Sequence, residues 1–274
     1  MSWKDKFPKE NIYFETNNGI LYNIDAIEIM SKFPNAVFDA IITDPPYGTT
    51  NCKWDSIIPI EKMWEQLKRI RKDKTPVVLF GNEPFSSLLR ISNLSEYKYD
   101  WYWNKISAGN FLNAKKQPLR NIETISIFYK KQCVYNPQIT DGHPLKISSK
   151  QNRKATADKF NKREDKVYNN FNLDNIECYK STKRYPKTLI TFSTDKQKEH
   201  YHPTQKPLAL MEYLIKTYTN ESDLVLDFAC GSSTTLLACE KLNRRWIGIE
   251  LNKKYCEISA KRFKNKYIVI IPPF

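Results

Sequence analysis

Glycine is scarce in this chain, with seven in 274 residues. No stretch carries the three-glycine turn of a dinucleotide fingerprint, which argues against NAD. No glycine precedes a Lys-Ser/Thr pair, which argues against a Walker loop and ATP hydrolysis. Six cysteines, at 52, 133, 178, 230, 239 and 256, form no C-x-x-C pair, and the three histidines stand at no zinc-finger spacing from them. A reducing cytoplasm is therefore expected, with no structural disulfide and no metal. No apolar run reaches membrane-spanning length and no signal-peptide pattern opens the chain, so secretion and membrane spanning are not expected. Acidic residues are outnumbered, 30 against 44 Lys plus Arg, which leaves a net charge of +14. Such an excess suits a polyanionic partner, most simply nucleic acid. Sixteen Tyr, fourteen Phe and six Trp add rings on which bases could stack.

The chain is long enough for one large domain, or one domain with a sizeable insertion. The stretch 20–43 reads as strand, helix, strand. Residues 20–25 form the first strand, and 26–33 a helix with Ala26, Ile29, Met30 and Phe33 on one face. Val37 to Thr43 is near-continuously apolar, as a buried parallel strand demands. A helix over 60–70 and a strand over 77–80 make a second such unit. "KYDWYWNK" and "ETISIFYK" alternate and read as later strands. Periodicity fades over 131–195, where 13 Lys plus Arg face 7 Asp plus Glu. A structureless stretch of that length inside a compact protein would be unusual, so a separate recognition element is expected there. Periodicity returns in a helix from Pro207, with Leu208, Met211, Leu214, Ile215 and Tyr218 on one face. A strand over 223–229, a tight turn into a helix and a strand over 245–250 follow. Asn252 caps a last helix, whose inner face is expected to carry Tyr255, Ile258 and Arg262 or Phe263.

Two stretches bear chemistry. "LDFACGSSTT" turns from a strand into a helix, the place where open α/β sheets bind nucleotides. Gly231 lets backbone approach a ligand, and Glu250, 19 residues on, can accept from both hydroxyls of a ribose. An ordinary βα turn fits that stretch alone equally well. "TDPPYG" ends the apolar strand at 43. The two prolines cannot donate ladder hydrogen bonds and fix their own φ. They hold the Asp44 carboxylate beside the Pro45 carbonyl, two acceptors that match the two N–H donors of an exocyclic amine. Tyr47 offers a flat ring. A plain strand end followed by a polyproline-like turn is the competing reading.

Taken together, "TDPPYG", "HPTQKPLALMEYLI", "LDFACGSSTT" and "RWIGIE" resemble the amino-group DNA methyltransferases that use S-adenosylmethionine. Their order, catalytic motif first, basic variable region next and cofactor loop last, is that of the circularly permuted β group. The resemblance covers most of residues 20–130 and 200–263. It implies a Rossmann-like α/β sheet of the class I methyltransferases, mostly parallel, with helices on both faces. The catalytic and cofactor-binding domain is expected at 1–130 with 196–274, and an inserted target-recognition region at 131–195.

Position by position, the resemblance gives Asp44, Pro45, Pro46 and Tyr47 to catalysis. It gives Asp227, Phe228, Ala229 and Gly231 to the cofactor loop, and Glu250, followed by Leu251, to the cofactor's ribose. His202, Thr204 and Lys206, within the run to Pro207, line the methionine end together with Asp44, and Asp25 lies near the adenine. Asn104, Lys105 and Glu123 fall in looser motifs beside the target-base pocket, where a structural role is an equal reading. Lys150, Arg153 and Lys154 are expected on DNA phosphates. The chain departs from the family at three places: Ser233 and Asn23 stand where glycine is usual, and Phe228 stands where proline is usual. Ser233 in particular takes positive φ less readily than glycine.

The implied reaction moves a methyl group from S-adenosylmethionine to N6 of a flipped-out adenine in double-stranded DNA. N4 of cytosine, RNA as substrate, and an inert DNA-binding module remain rival readings. Double-stranded DNA is the expected partner and no membrane is. A cognate restriction endonuclease, and a monomeric or homodimeric state, are left open by the resemblance.

Overall fold

The computed structural model describes residues 2–48, 57–162, 178–194, 205–265, 267 and 269–270. The chain divides into two compact units, Met1–Asn136 with Lys187–Phe274, and Pro137–Pro186.

In chain order the first unit carries β1 (Ile12–Glu15), β2 (Gly19–Tyr22), α1 (Ala26–Ser31), β3 (Ala40–Thr43), α2 (Ile60–Ile70), β4 (Val77–Gly81) and α3 (Phe85–Ser92). The long strands β5 (Tyr97–Gly109) and β6 (Arg120–Phe128) follow. The second unit contributes β7 (Lys146–Ser148), α4 (Lys150–Asn161) and β8 (Tyr179–Ser181). The chain then returns through β9 (Leu189–Thr191), α5 (Leu208–Tyr218), β10 (Leu224–Asp227), α6 (Thr234–Lys241), β11 (Arg245–Ile249) and α7 (Lys253–Lys264).

Nine strands form one sheet in the order β1-β2-β11-β10-β3-β4-β6-β5-β9. The run from β2 to β4 is parallel, as the apolar stretches predict; β1, β6 and β5 bring antiparallel pairings at the flanks. Side chains alternate across each strand, so neighbours feed opposite layers. Val78 and Phe80 join Leu214, Ile215, Ala238 and Phe263 under α5, α6 and α7. Val77 and Leu79 join Ile29, Met63, Leu67 and Leu89 under α1, α2 and α3. Helices therefore cover both faces, and the two cores lie on either side of one sheet.

The topology explains why two distant motifs meet. β3 and β10 are neighbours in the sheet. From β3 the chain crosses to β4 on one side, and from β10 it crosses to β11 on the other. Connections that leave adjacent strands in opposite directions open a crevice at their carboxyl ends. Residues 44–48 and 228–233 both emerge there.

Several boundaries differ from expectation. The first strand stops at Tyr22 rather than residue 25, because the Asp25 side chain accepts the Glu28 N–H at 3.0 Å and caps α1. β3 begins at Ala40, not Val37, because the Val37 and Asp39 N–H groups bond to the Ile70 and Leu224 carbonyls. The buried face of α7 carries Cys256, Ser259, Ala260, Arg262 and Phe263; Tyr255 and Ile258 lie off it. α3, β1 and β9 had no periodic signature strong enough to be read. β9 also places part of 187–195 in the main sheet, so the second unit is narrower than 131–195.

Among the described residues of the second unit, few are buried. β7 and β8 pair antiparallel, and Thr140 bridges Arg184. Ser149 caps α4 by accepting the Asn152 N–H at 3.1 Å. Ala157 is the only buried residue of α4, which is why hydrophobic periodicity fades in the sequence there.

Candidate active site

A cavity of about 670 Å³ lies at the carboxyl ends of β3 and β10. Asp25, Asp44, Pro45, Pro46, Tyr47, Glu123, Lys206, Asp227, Phe228, Ala229, Gly231, Glu250 and Leu251 all line it. One space thus joins the two motifs that the sequence holds about two hundred residues apart. A volume of that size suits a small-molecule site.

The part of the cavity that follows β10 is held by backbone and hydroxyl groups. Asp227 ends β10 and accepts from Thr43 Oγ1 at 2.7 Å and from the Ala229 N–H at 3.2 Å. Burial pushes its carboxyl up to about 6, against those bonds. Gly231 takes φ +51°, a left-handed value that glycine reaches at no steric cost. Its N–H donates to Glu250 Oε2 at 2.8 Å, and the Asn252 N–H donates to Oε1 at 2.8 Å. Burial lifts the Glu250 carboxyl above the usual range, with those N–H groups pulling it back. A carboxylate offers about four acceptor sites, so Glu250 keeps acceptor capacity in the cavity.

The departures from the family pattern are built into this wall. Ser233 does adopt the left-handed region, at φ +65°. Its hydroxyl bonds Ser259 Oγ at 2.7 Å, and Ser259 Oγ reaches the Gly231 carbonyl at 3.2 Å. A net hydrogen bond is worth about 1 kcal/mol, comparable to the strain of that backbone conformation. Asn23 Nδ2 donates to the Glu250 and Leu251 carbonyls, both at 2.9 Å, and so ties the end of β2 to the segment that follows β11. Phe228 is 2% exposed and belongs to the core under the loop. Arg262, assigned by periodicity only to a packing face, donates to the Ser232 carbonyl and sits 3.2 Å from Ser232 Oγ and 3.3 Å from Thr234 Oγ1. Its signal was present in the sequence: Ser259 and Arg262 stand three apart, on one side of a helix that is otherwise apolar there.

The opposite wall is held by charge. Asp44 accepts from the Tyr47 hydroxyl and pairs with Lys206 Nζ at 2.5 Å. Lys206 also lies 3.3 Å from Glu123 Oε2, and Lys105 lies 2.8 Å from Glu123 Oε1. Asp44, Lys206, Glu123 and Lys105 therefore alternate in sign from β3 across to β5. Burial raises the Asp44 pKa, with Lys206 opposing it and Glu123 adding to it. Burial also works against the charge on Lys206, but Asp44 and Glu123 hold its pKa above the ordinary lysine value. For Glu123 the two lysines outweigh burial and hold its pKa low. Tyr47 stacks on Phe85 with ring centres 5.2 Å apart, so the ring is braced on its far side.

Other expected residues fall elsewhere. Asn104 is in β5, where its side chain accepts from the Ile106 N–H at 3.1 Å; neither it nor Lys105 lines the cavity. Lys150, Arg153 and Lys154 lie exposed on α4 in the second unit. His202 and Thr204 lie outside the described residues.

A family model described as DNA methylase matches residues 38–261. The chain belongs to that family. It is 27% identical over 255 residues to the type II methyltransferase M.HpaI of Haemophilus parainfluenzae, spanning 89% of this chain and 73% of that protein. Among solved structures it resembles the M1.HpyAVI–SAM complex, at 27% identity and a TM-score of 0.58, over 88% of this chain and 98% of that one. The cytosine-N4-specific PvuII DNA methyltransferase shares the fold at a TM-score of 0.65 and 20% identity, over 95% and 91% of the two chains. As a DNA methylase of this family, the chain uses S-adenosylmethionine. The cavity fits that cofactor: Glu250 has acceptor capacity to spare beside a left-handed glycine, and the Asp44, Glu123 and Asp227 carboxylates among its lining residues would suit a cationic sulfonium.

Proposed function

We propose that this protein is a site-specific DNA methyltransferase that methylates N6 of an adenine flipped out of double-stranded DNA. The observation that carries the reading is that one cavity is lined both by Asp44 and Pro45 and by Gly231 and Glu250.

S-adenosylmethionine supplies an electrophilic methyl group on a sulfonium. The chain's own residues do the rest. Glu250 and the Gly231 turn would hold the cofactor, and Asp227 would add negative charge to the same cavity. Asp44 and the Pro45 carbonyl accept the two N–H bonds of the amine and favour a tetrahedral nitrogen, which frees its lone pair. Alignment then contributes more than basicity. Positive charge develops on N6 as the bond forms, and the Asp44 carboxylate stabilises it. The raised pKa of Asp44 suits it to take the proton that N6 sheds afterwards. Lys206 opposes the rise in the Asp44 pKa and pairs with its Oδ2. The Tyr47 ring, braced by Phe85, stacks on the flipped base for about 1–3 kcal/mol.

A base within a duplex must leave the stack to reach this site, at a cost of a few kcal/mol. The second unit serves as the target-recognition region in this reading. It has 11 Lys plus Arg against 6 Asp plus Glu over 137–186, and Lys150, Arg153 and Lys154 contact phosphates.

Adenine is favoured because the acid of the catalytic motif is Asp rather than Ser, the choice that resembles the N6 group. The N4-cytosine reading has its own support in the PvuII fold. Incubation of plasmid DNA with the purified protein and labelled S-adenosylmethionine, followed by digestion to nucleosides and mass spectrometry, separates the two. N6-methyladenine is expected. N4-methylcytosine would replace the assignment, and absence of any methylated nucleoside would favour an inert DNA-binding module.

A further inference from the structure

The β5–β6 hairpin has a tip that the site described so far does not use. β6 pairs with β4 only from Thr124, which faces Gly81 at the carboxyl end of β4. Residues 120–123 run on beyond that end, about 13 Å at the rise of a strand. Glu123, at the root of this extension, lines the cavity. The hairpin therefore rises from the rim of the active site, on the edge where Asp44 lies.

Its tip is ordered and apolar. Asn110 takes φ +67° and opens a short 3-10 turn, Phe111–Asn113. The Asn113 side chain donates to Asn110 Oδ1 at 2.8 Å, and the Asn113, Ala114, Lys116 and Gln117 N–H groups bond back to carbonyls of 110–113. That closed turn presents Phe111 and Leu112, 75% and 84% exposed. Two large apolar side chains so exposed on a turn closed by its own hydrogen bonds mark an interaction site. The surrounding segment 105–121 holds Lys105, Lys115, Lys116 and Arg120 and no acid. Lys115, Lys116 and Arg120 are exposed. An apolar point ringed by cations matches a base stack flanked by phosphates.

We propose that Phe111 and Leu112 form a wedge that enters the DNA stack and fills the gap left by the flipped base, while Lys115, Lys116 and Arg120 hold the adjoining phosphates. The inference rests on the methyltransferase reading and adds the element that keeps the base out of the helix. Apolar wedges that unstack a step offset part of its cost by filling the gap.

The test compares single-turnover methyl transfer to duplex plasmid and to the same plasmid heat-denatured, for wild type, F111A/L112A and a control, I91A/L94A. Ile91 and Leu94 are also exposed, at 72% and 66%, but lie at the end of α3. On duplex, F111A/L112A is expected to slow transfer by about tenfold or more, which is about 1.4 kcal/mol or more in the barrier. On denatured DNA the deficit should shrink to within about threefold, and I91A/L94A should match wild type on both. Equal rates for F111A/L112A and wild type on duplex overturn the wedge, as does an equal deficit on both DNAs. Sedimentation of each variant tells a second occupant apart: if F111A/L112A turns a dimer into a monomer, the tip is a contact between copies and not a DNA wedge. If wild type transfers methyl to neither DNA, the underlying methyltransferase reading has failed and the wedge fails with it.

Discussion

The two walls of the cavity are held in place by different physics. On the wall proposed to hold the cofactor, Asp227, Gly231, Ser232, Ser233 and Glu250 are fixed by backbone N–H groups, hydroxyls and one buried guanidinium. On the catalytic wall, Asp44 is fixed by an alternating series of charges that ends at Lys105. Hydrogen bonds from backbone N–H groups and hydroxyls to a carboxylate are each worth about 1.5–3 kcal/mol and place no second full charge in the wall. Buried ion pairs are costly to break, because the partner left behind is an uncompensated charge. The cofactor wall is thus built as a fixed cradle, and the catalytic wall as a tuned electrostatic site.

Replacing Lys206 by Met strikes the second wall and should have the larger effect. Asp44 and Glu123 would then face each other with one fewer cation between them, and the Asp44 pKa would rise further. Protonated Asp44 accepts fewer hydrogen bonds from the amine, so transfer at neutral pH should fall by about 10–100-fold. The sign in pH follows. Ionised Asp44 is the active form, so the variant should regain rate as pH rises through its elevated pKa, and a pH–rate profile reads this directly. A flat loss at every pH would mean that Lys206 serves the cofactor and not Asp44.

Arg262→Met strikes the first wall. It strips the Ser232 carbonyl of its guanidinium donor, a change worth about 1.5–3 kcal/mol for a bond to a charged group. The thermal midpoint should drop, and cofactor affinity should weaken by about tenfold, while the single-turnover rate at saturating cofactor stays within about threefold. A fall in that rate with cofactor affinity intact would contradict the division between the walls.

Ser233→Gly should do least. Glycine relieves the left-handed strain but loses the bond to Ser259, and these nearly cancel, leaving stability within about 1 kcal/mol by thermal or chemical denaturation. A large stabilisation would show that the hydroxyl contributes nothing at that turn.

The sequence foreshadowed the two walls unequally. The sheet was readable because β3, β4, β10 and β11 are apolar runs bounded by Pro, Gly or charge, and because α2 and α5 carry clean helical faces. The cofactor loop and the Asp44 turn were readable because their residue types are demanded by local backbone geometry. The ion series was not, since Lys206, Glu123 and Lys105 come together only when β6 and β5 pair and the chain returns past residue 200. Periodicity placed Arg262 on the packing face of the last helix but not its bond to the Ser232 carbonyl, because that partner is brought to it only by tertiary contact. The hairpin tip escaped because a short turn has no periodicity to betray it.

The most direct test of two separable walls is a side-by-side titration of Asp44→Ala and Glu250→Ala with S-adenosylmethionine, each followed by a transfer assay on DNA. Asp44→Ala should bind cofactor within about threefold of wild type and transfer no detectable methyl, whereas Glu250→Ala should bind about 100-fold more weakly, the loss of two charge-assisted bonds. The account is contradicted if Asp44→Ala loses cofactor as Glu250→Ala does, or if it keeps the wild-type rate of transfer.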